Sequence, residues 1–395
     1  MKFEKRRIAD LLDCIIDNRG KTPPISDSGH CLMEINCIAE KSKYPNYSLI
    51  RKYVSEETYH TWFRSGHPQK GDILIPTVGT LDAISLMDRD DCCIAQNMIA
   101  FRVNSSICDN EYLYYVLCDP IVRKRLLNLD IGGVQPSIKV PHIKNLEINI
   151  PPLNVQKQMS SILCAIDEKL QINNRLNDNL FQQARARFRR WLVDNPSAMC
   201  KLSEVASINP ETYFPKDAWS FINYLDTSSI TSGAITEVQH ITPSEDKLPS
   251  RARRILRKND VVFSTVRPNQ LHYGIISNPM PNMLGSTGFA VIRSKRASIP
   301  NEIIYLALTE PSFVEQMQQL AEQSVSTFPS IRPADLDACL IPDMQEDDKS
   351  LISSIQALFN AVATYNEENK YLSALRDTLL PRLMSGEIDV SSTTL

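Results

Sequence analysis

A chain of 395 residues exceeds the size at which one hydrophobic core stops growing, so two domains of ordinary size are expected. With 43% hydrophobic residues and no apolar run of 18, the composition excludes disorder and a membrane span, and the start MKFEKRRIAD lacks a leader's apolar stretch, so the cytoplasm is the expected location. A net charge of −3 excludes a uniformly basic nucleic-acid binder, and ten cysteines without a CxxC pair fit neither a zinc site nor a disulfide framework.

Taken in chain order, β-branched runs at Asp72–Pro76 and Ile99–Val103 read as strands bounded by Gly, Pro and Asn. Helical apolar spacing follows over Glu111–Leu127, broken early by Pro120 into two short helices. After Pro151-Pro152 the positions Met159, Leu163, Ile166, Leu170, Asn173, Asn177, Leu180 and Ala184 step by four and three, a heptad seam on one long helix. The same succession then returns. Val261–Thr265 and Ala290–Ile292 read as strands, and Glu302–Leu320 as a helical stretch broken by Pro311. A second seam runs Leu351, Ile355, Leu358, Val362, Tyr365, Asn369, Leu372, Arg376, Leu379 and Leu383.

The return is a tandem duplication. Asn110-Glu-Tyr-Leu-Tyr114 with Leu117 and Pro120 reappears as Asn301-Glu-Ile-Ile-Tyr305 with Leu308 and Pro311, at a constant offset of 191. Lys70-Gly-Asp72 matches Lys258-Asn-Asp260, Pro136-Ser-Ile138 matches Pro329-Ser-Ile331, and Ile150-Pro151 matches Ile341-Pro342. The expected fold is α+β: two tandem mixed α/β domains, at 1–150 and 195–342, separated by a long antiparallel two-helix coiled coil built from 151–194 and 343–395, with pseudo-twofold symmetry. The helical segments carry opposite charge surpluses, seven basic against four acidic residues in the first and four against nine in the second. Antiparallel pairing sets Asn177 near Tyr365 and Asn173 near Asn369, where buried amides reject slipped registers. About 30 residues of helix at ~1.5 Å each make a spacer of ~45 Å.

No phosphate cradle of the GxGxxG or GxxxxGK[ST] kind occurs, and the closest string to an amino-methyltransferase tetrapeptide, Asn195-Pro-Ser-Ala198, departs from it at two positions. The triplet Asp167-Glu-Lys169 reads as a solvated helix face, and the six histidines lack metal-ligand spacing. No catalytic group, metal or cofactor is expected. What remains is polar loop sequence beside strand ends: Thr77, Gly79, Thr80, Gln96, Asn97, Gly133, Gln135 and Ser137 in the first copy, and Thr265, Arg267, Asn269, His272 and Thr327 in the second. Asn and Gln can pair bidentately with adenine and Arg with guanine, while Ser, Thr and backbone amides suit phosphate oxygens. Arg251, Arg253 and Arg254, within the densest basic stretch, are candidates for phosphate neutralisation.

Ile150-Pro-Pro-Leu-Asn-Val-Gln-Lys-Gln158, with Ala165-Ile-Asp-Glu-Lys169 and Asn173-Asn-Arg-Leu-Asn177, closely resembles the central conserved region of Type I restriction-modification specificity subunits. Leu375-Arg-Asp-Thr-Leu-Leu-Pro-Arg-Leu-Met-Ser-Gly-Glu387 is similar to that family's C-terminal conserved region, and Arg19-Gly-Lys-Thr-Pro23, Lys70-Gly-Asp72 and Gly132-Gly-Val-Gln-Pro136 extend the likeness to essentially the whole chain. Arg19 and Lys21 thereby join the DNA-binding candidates. The resemblance implies two target recognition domains, each reading half of a bipartite site in double-stranded DNA. It also implies two modification (methyltransferase) subunits and translocating restriction (endonuclease) subunits as partners, with no catalytic residue in this chain. A coiled-coil scaffold or a fused DNA-modifying enzyme is the alternative. In the second copy Pro152-Leu-Asn-Val-Gln156 becomes Pro342-Asp-Met-Gln-Glu346, a departure from the family's pattern.

Overall fold

The computed structural model describes residues 2–39, 42–94, 96–130, 132, 136–324 and 328–391. They fall into two compact units, Met1–Ile172 with Asn369–Leu395, and Asn173–Glu368, so the boundary lies inside both long helices.

The first unit opens with strands β1 (Glu4–Arg7), β2 (Leu12–Ile16), β3 (His30–Met33) and β4 (Lys52–Val54), then helix α1 (Glu56–Thr61). Strands β5 (Ile73–Pro76), β6 (Ser85–Leu86), β7 (Cys92–Ile94) and β8 (Met98–Val103) follow. Helices α2 (Asn110–Cys118), α3 (Pro120–Leu127) and α4 (Val140–Lys144) and strand β9 (Glu147–Ile150) lead into α5, which spans 42 residues from Leu153 to Asp194. One sheet has the order β2-β8-β5-β6 and another β4-β3-β7, while β1 pairs with β9. The break between α2 and α3 lies at Asp119-Pro120: proline lacks the N–H that would continue α2, and the Asp119 carboxylate caps the backbone N–H groups of Ile121 and Val122.

The second unit repeats this plan. It contains β10 (Met199–Lys201), α6 (Leu202–Val205), β11 (Ala206–Ile208), β12 (Ile222–Leu225), β13 (Ile230–Thr231), β14 (Ala234–Ile235) and β15 (Gln239–Ile241). Then come β16 (Ala252–Ile255), β17 (Asp260–Ser264), β18 (Tyr273–Ile276), β19 (Met283–Ser286) and β20 (Phe289–Ser294). Helices α7 (Asn301–Leu308), α8 (Pro311–Glu322) and α9 (Pro333–Asp337), strand β21 (Leu340–Pro342) and the 36-residue α10 (Lys349–Met384) complete the fold. The sheet β11-β20-β17-β18 matches β2-β8-β5-β6 strand for strand. The parallel pair β12–β19 matches β3–β7, and β10–β21 matches β1–β9.

Identical polar devices set both copies. Asp72, on the Lys-Gly-Asp turn, takes the Arg102 guanidinium through bonds of 2.7 and 3.2 Å and the Gln69 N–H at 2.8 Å. In the second copy Asp260 takes Arg293 at 2.7 and 2.8 Å and the Arg257 N–H at 2.7 Å. Asp260 is fully buried, and enclosing a carboxylate is costly unless a cation and hydrogen bonds pair with it as they do here.

Each unit also contains an antiparallel helix pair. In the second, as α5 runs forward its partners on and before α10 run backward: Asn173 Nδ2 donates to Glu368 at 2.8 Å, Asn177 Nδ2 to Asn366 at 2.8 Å, Phe181 meets Phe359 edge-on, and Trp191 Nε1 donates to Asp348 at 2.7 Å. In the first, Val155, Met159 and Leu163 share a core with Leu380 and Leu383. Asp167 departs from its expected solvated face. It is buried, accepting the Tyr115 hydroxyl at 2.6 Å and Arg376 Nη1 at 3.2 Å, while Glu168 beside it is exposed. The burial follows from position: Asp167 lies on the flank of the seam that faces α2, where Tyr115 reaches it. No helix among the described residues is long and apolar enough to cross a membrane.

Candidate nucleic-acid interface

In the first unit, β5 delivers Thr77, Val78 and Gly79 to a loop that three other segments meet. The Thr77 N–H and hydroxyl both donate to the Asn97 carbonyl, at 2.8 and 3.1 Å. Gly79 N–H donates to the Pro136 carbonyl and Ile138 N–H to the Thr77 carbonyl, each at 2.9 Å, so Val78 and Ser137 form a β-bridge. The Gln96 side chain reaches Thr22 Oγ1 at 3.3 Å, which ties the 19–23 segment to the same cluster. Gly79 sits at φ +86°, a backbone state that costs a side chain about 1 kcal/mol but glycine little.

The second unit builds the cluster again from different side chains. Thr265 N–H and hydroxyl donate to the Gly288 carbonyl at 2.8 and 3.0 Å, Arg267 N–H donates to Pro329 at 2.9 Å, and Ile331 N–H to Thr265 at 2.9 Å. Arg267 holds the position of Gly79 and the same left-handed backbone, at φ +48°. Its guanidinium lies 4.9 Å from the ring centre of Phe328, which is 54% exposed. An arginine held in a strained backbone and backed by an exposed ring is a side chain oriented at the cost of stability, the pattern of functional sites.

The remaining candidates separate by their surroundings. Thr80, Asn97, Lys21 and Asn269 are exposed. Arg19 is committed to Asp17 by bonds of 2.8 and 2.7 Å, which leaves it less able to meet DNA than its sequence suggests. His272 Nδ1 lies 2.7 Å from the Ile230 carbonyl, so that nitrogen carries the proton and anchors the ring. Gly133, Gln135 and Thr327 lie outside the described residues. Just before β16, Arg251 is exposed, and its carbonyl accepts Thr287 N–H next to Gly288 of the cluster. Arg253 Nε donates to the Ser250 carbonyl, and Arg254 Nε is buried with no partner among the described residues. Burial depresses the Arg254 pKa below the ordinary arginine value.

Some polar groups were not visible from sequence. Tyr59 is sandwiched between His30 and His67 with ring centres 3.7 Å apart on each side, and Glu56 accepts from His30 and His60 at 2.7 and 2.8 Å. These residues come from β3, α1 and the following turn, so apart from the i,i+4 pair Glu56–His60 no local spacing announces them.

The repeated cluster sets the context for the likeness to known proteins. Residues 2–182 match the sequence model of the Type I restriction modification DNA specificity domain. This segment is similar to a Type I specificity domain. The Type I restriction enzyme HindI specificity subunit of Haemophilus influenzae is 21% identical over 400 residues, covering 81% of this chain and 87% of that protein. The MjaIX specificity subunit of Methanocaldococcus jannaschii is 22% identical over 303 residues, covering 71% and 69%. Among solved structures, the Type I restriction-modification S subunit from M. genitalium aligns over 97% of this chain and 96% of its own, at 17% identity and a TM-score of 0.59. The specificity-domain fold therefore extends over both copies, and the resemblance of the chain to specificity subunits holds.

Proposed function

We propose that this chain reads a bipartite sequence in duplex DNA, in the cytoplasm, as the specificity subunit of a Type I restriction-modification complex. Each of the two domains, 1–150 and 195–342, reads one half-site. The observation that carries this reading is the loop cluster built twice on one backbone frame, Thr77–Gly79–Ser137 and Thr265–Arg267–Ser330, with different side chains on the two frames. A shared frame with different side chains suits recognition of two different half-sites by one docking geometry. Arg267 is the candidate base reader and Arg251 with Arg253 the phosphate contacts, since an arginine fork matches guanine and exposed cations match the backbone.

The chain supplies recognition and no catalytic group. Two modification subunits bring the methyltransferase chemistry, restriction subunits the cleavage, and the helix pairs of 151–194 and 343–395 space the two domains. Selection of duplexes from a random pool by the chain together with its modification partner tests this. A bipartite motif with a fixed gap is expected, and its affinity should fall with salt less steeply once Arg251 and Arg253 are replaced. A pool that stays unenriched would favour a scaffold.

A further inference from the structure

We infer that the second copy holds a socket for a lysine or arginine presented by an extended segment of another protein. The first copy shows what fills the equivalent place. There, Ser42-Lys43-Tyr44 lies along the edge strand β6: Leu86 N–H donates to the Lys43 carbonyl at 2.7 Å and Ser85 Oγ to the Ser42 carbonyl at 2.9 Å. The Lys43 side chain turns inward and is 5% exposed, its Nζ 2.7 Å from Glu111 Oε2 and 3.2 Å from Cys164 Sγ. The Cys164 thiol donates to the same Glu111 oxygen at 3.1 Å. Burial opposes the charge on Lys43, but Glu111 and Cys164 outweigh it and hold the ammonium above the ordinary lysine range.

The second copy keeps the carboxylate and lacks the cation. Glu302 stands where Glu111 stands, at the start of the matching helix, and is 3% exposed. It accepts the Asn259 side-chain amide at 3.0 Å, and no cation pairs with it among the described residues, Lys258 on the rim included. Ile275 stands where Leu86 stands, because the register Val261–Ile275 repeats Ile73–Leu86. Beside it, where the first copy places Lys43, the second has a cavity of about 330 Å³ lined by Ile275, Ser277, Asn278, Glu302, Phe359 and Thr364. Residues 232–233 bond to Leu271, ahead of β18, and to Tyr273 at its first residue, and the cavity opens beyond them.

A buried carboxylate with one neutral hydrogen bond is poorly compensated, and an arriving ammonium or guanidinium supplies the charge-assisted bond it lacks. The extended form of the occupant follows from the first copy, where a backbone bond to the strand edge carries the lysine in, the geometry of strand addition.

A positional library of acetylated, amidated heptapeptides, with the central residue fixed as Lys, Arg, Gln or Leu, tests the socket on the full-length chain. Central Lys or Arg should bind roughly ten-fold or more tighter than Gln, and that preference should vanish in Glu302→Gln. Gln356, at the position of Cys164, lines the adjoining cavity with Glu302, so Gln356→Lys places an ammonium in cis. That variant should lose peptide binding while its melting temperature rises, which separates a filled socket from misfolding. The inference is overturned by equal binding of all four sublibraries or by a preference that survives both variants. It is also overturned if potassium or magnesium chloride displaces the peptides at matched ionic strength, which marks a simple cation site. A concentration-dependent dimer abolished by Glu302→Gln would overturn it too, by making a second copy the occupant.

Discussion

Arg267 occupies in the second copy the left-handed backbone position that Gly79 holds in the first, and the N–H of each donates to the proline of the matching Pro-Ser-Ile segment at 2.9 Å. Replacing Arg267 by glycine therefore removes strain and a side chain together. Arg267→Gly should leave thermal stability unchanged or raise it by up to ~1 kcal/mol, while discrimination in one half-site falls by ~1–3 kcal/mol. Calorimetry beside competition binding separates the two effects. A destabilised variant with intact discrimination would make Arg267 a structural residue.

Asp167 joins Tyr115 and Arg376 in the interior of the first unit. Its truncation takes the buried Tyr115 hydroxyl's carboxylate partner away, while Arg376 keeps its bonds to Asp377. Asp167→Ala should cost ~2–4 kcal/mol, read from the midpoint of urea unfolding with an unchanged slope. Arg376→Ala leaves the buried Asp167 carboxylate with the Tyr115 hydroxyl and no cation, so it should cost a comparable amount.

Side-chain hydrogen bonds from Arg257 and then Arg293 hold Glu211 down to about 2, below its ordinary 4.5. A carboxylate depressed in the folded state contributes stability that is fully present above about pH 4.5 and lost as pH falls toward 2. The group is near the surface, so the contribution is about 1 kcal/mol or less. Unfolding free energies at pH 6 and at pH 3 should differ less in Glu211→Gln than in the parent chain. An identical pH dependence in the two would remove Glu211 from the network.

Much of this architecture is legible in the sequence because duplication writes it twice. Pro120 and Pro311 divide the helices where proline must, and the repeated Lys-x-Asp turn marks where each central strand begins. Contacts that depend on residues far apart were not legible. Asp167 sits two residues before Lys169 in a polar triplet, yet Tyr115, 52 positions earlier, draws it inside. Arg254 belongs to a basic run, yet its Nε is buried, because alternate residues of a strand face opposite sides. The loop candidates were found by residue type, while their convergence on the Asn97 and Gly288 carbonyls needed the fold.

Asn173 with Glu368 and Asn177 with Asn366 fix the register of the helix pair in the second unit. One heptad is ~10 Å of helix, the length of ~3 base pairs. Deleting 173–179 together with 362–368 removes both pairs whole, Asn173 with Glu368 and Asn177 with Asn366, and keeps the seam in phase. The expected outcome is an unspecified gap shorter by about 3 base pairs with both half-sites retained. An unchanged gap at full activity would show that these helices do not measure the site.

Methylation mapping is the most direct test of the claim that each copy reads one half-site. Genomic DNA from cells carrying this chain and its modification partner should show methylated adenines in a single bipartite motif. In cells carrying Arg267→Ala, one half of that motif should relax while the other stays as it was. Relaxation of both halves alike, or a motif with no unspecified gap, would contradict the account.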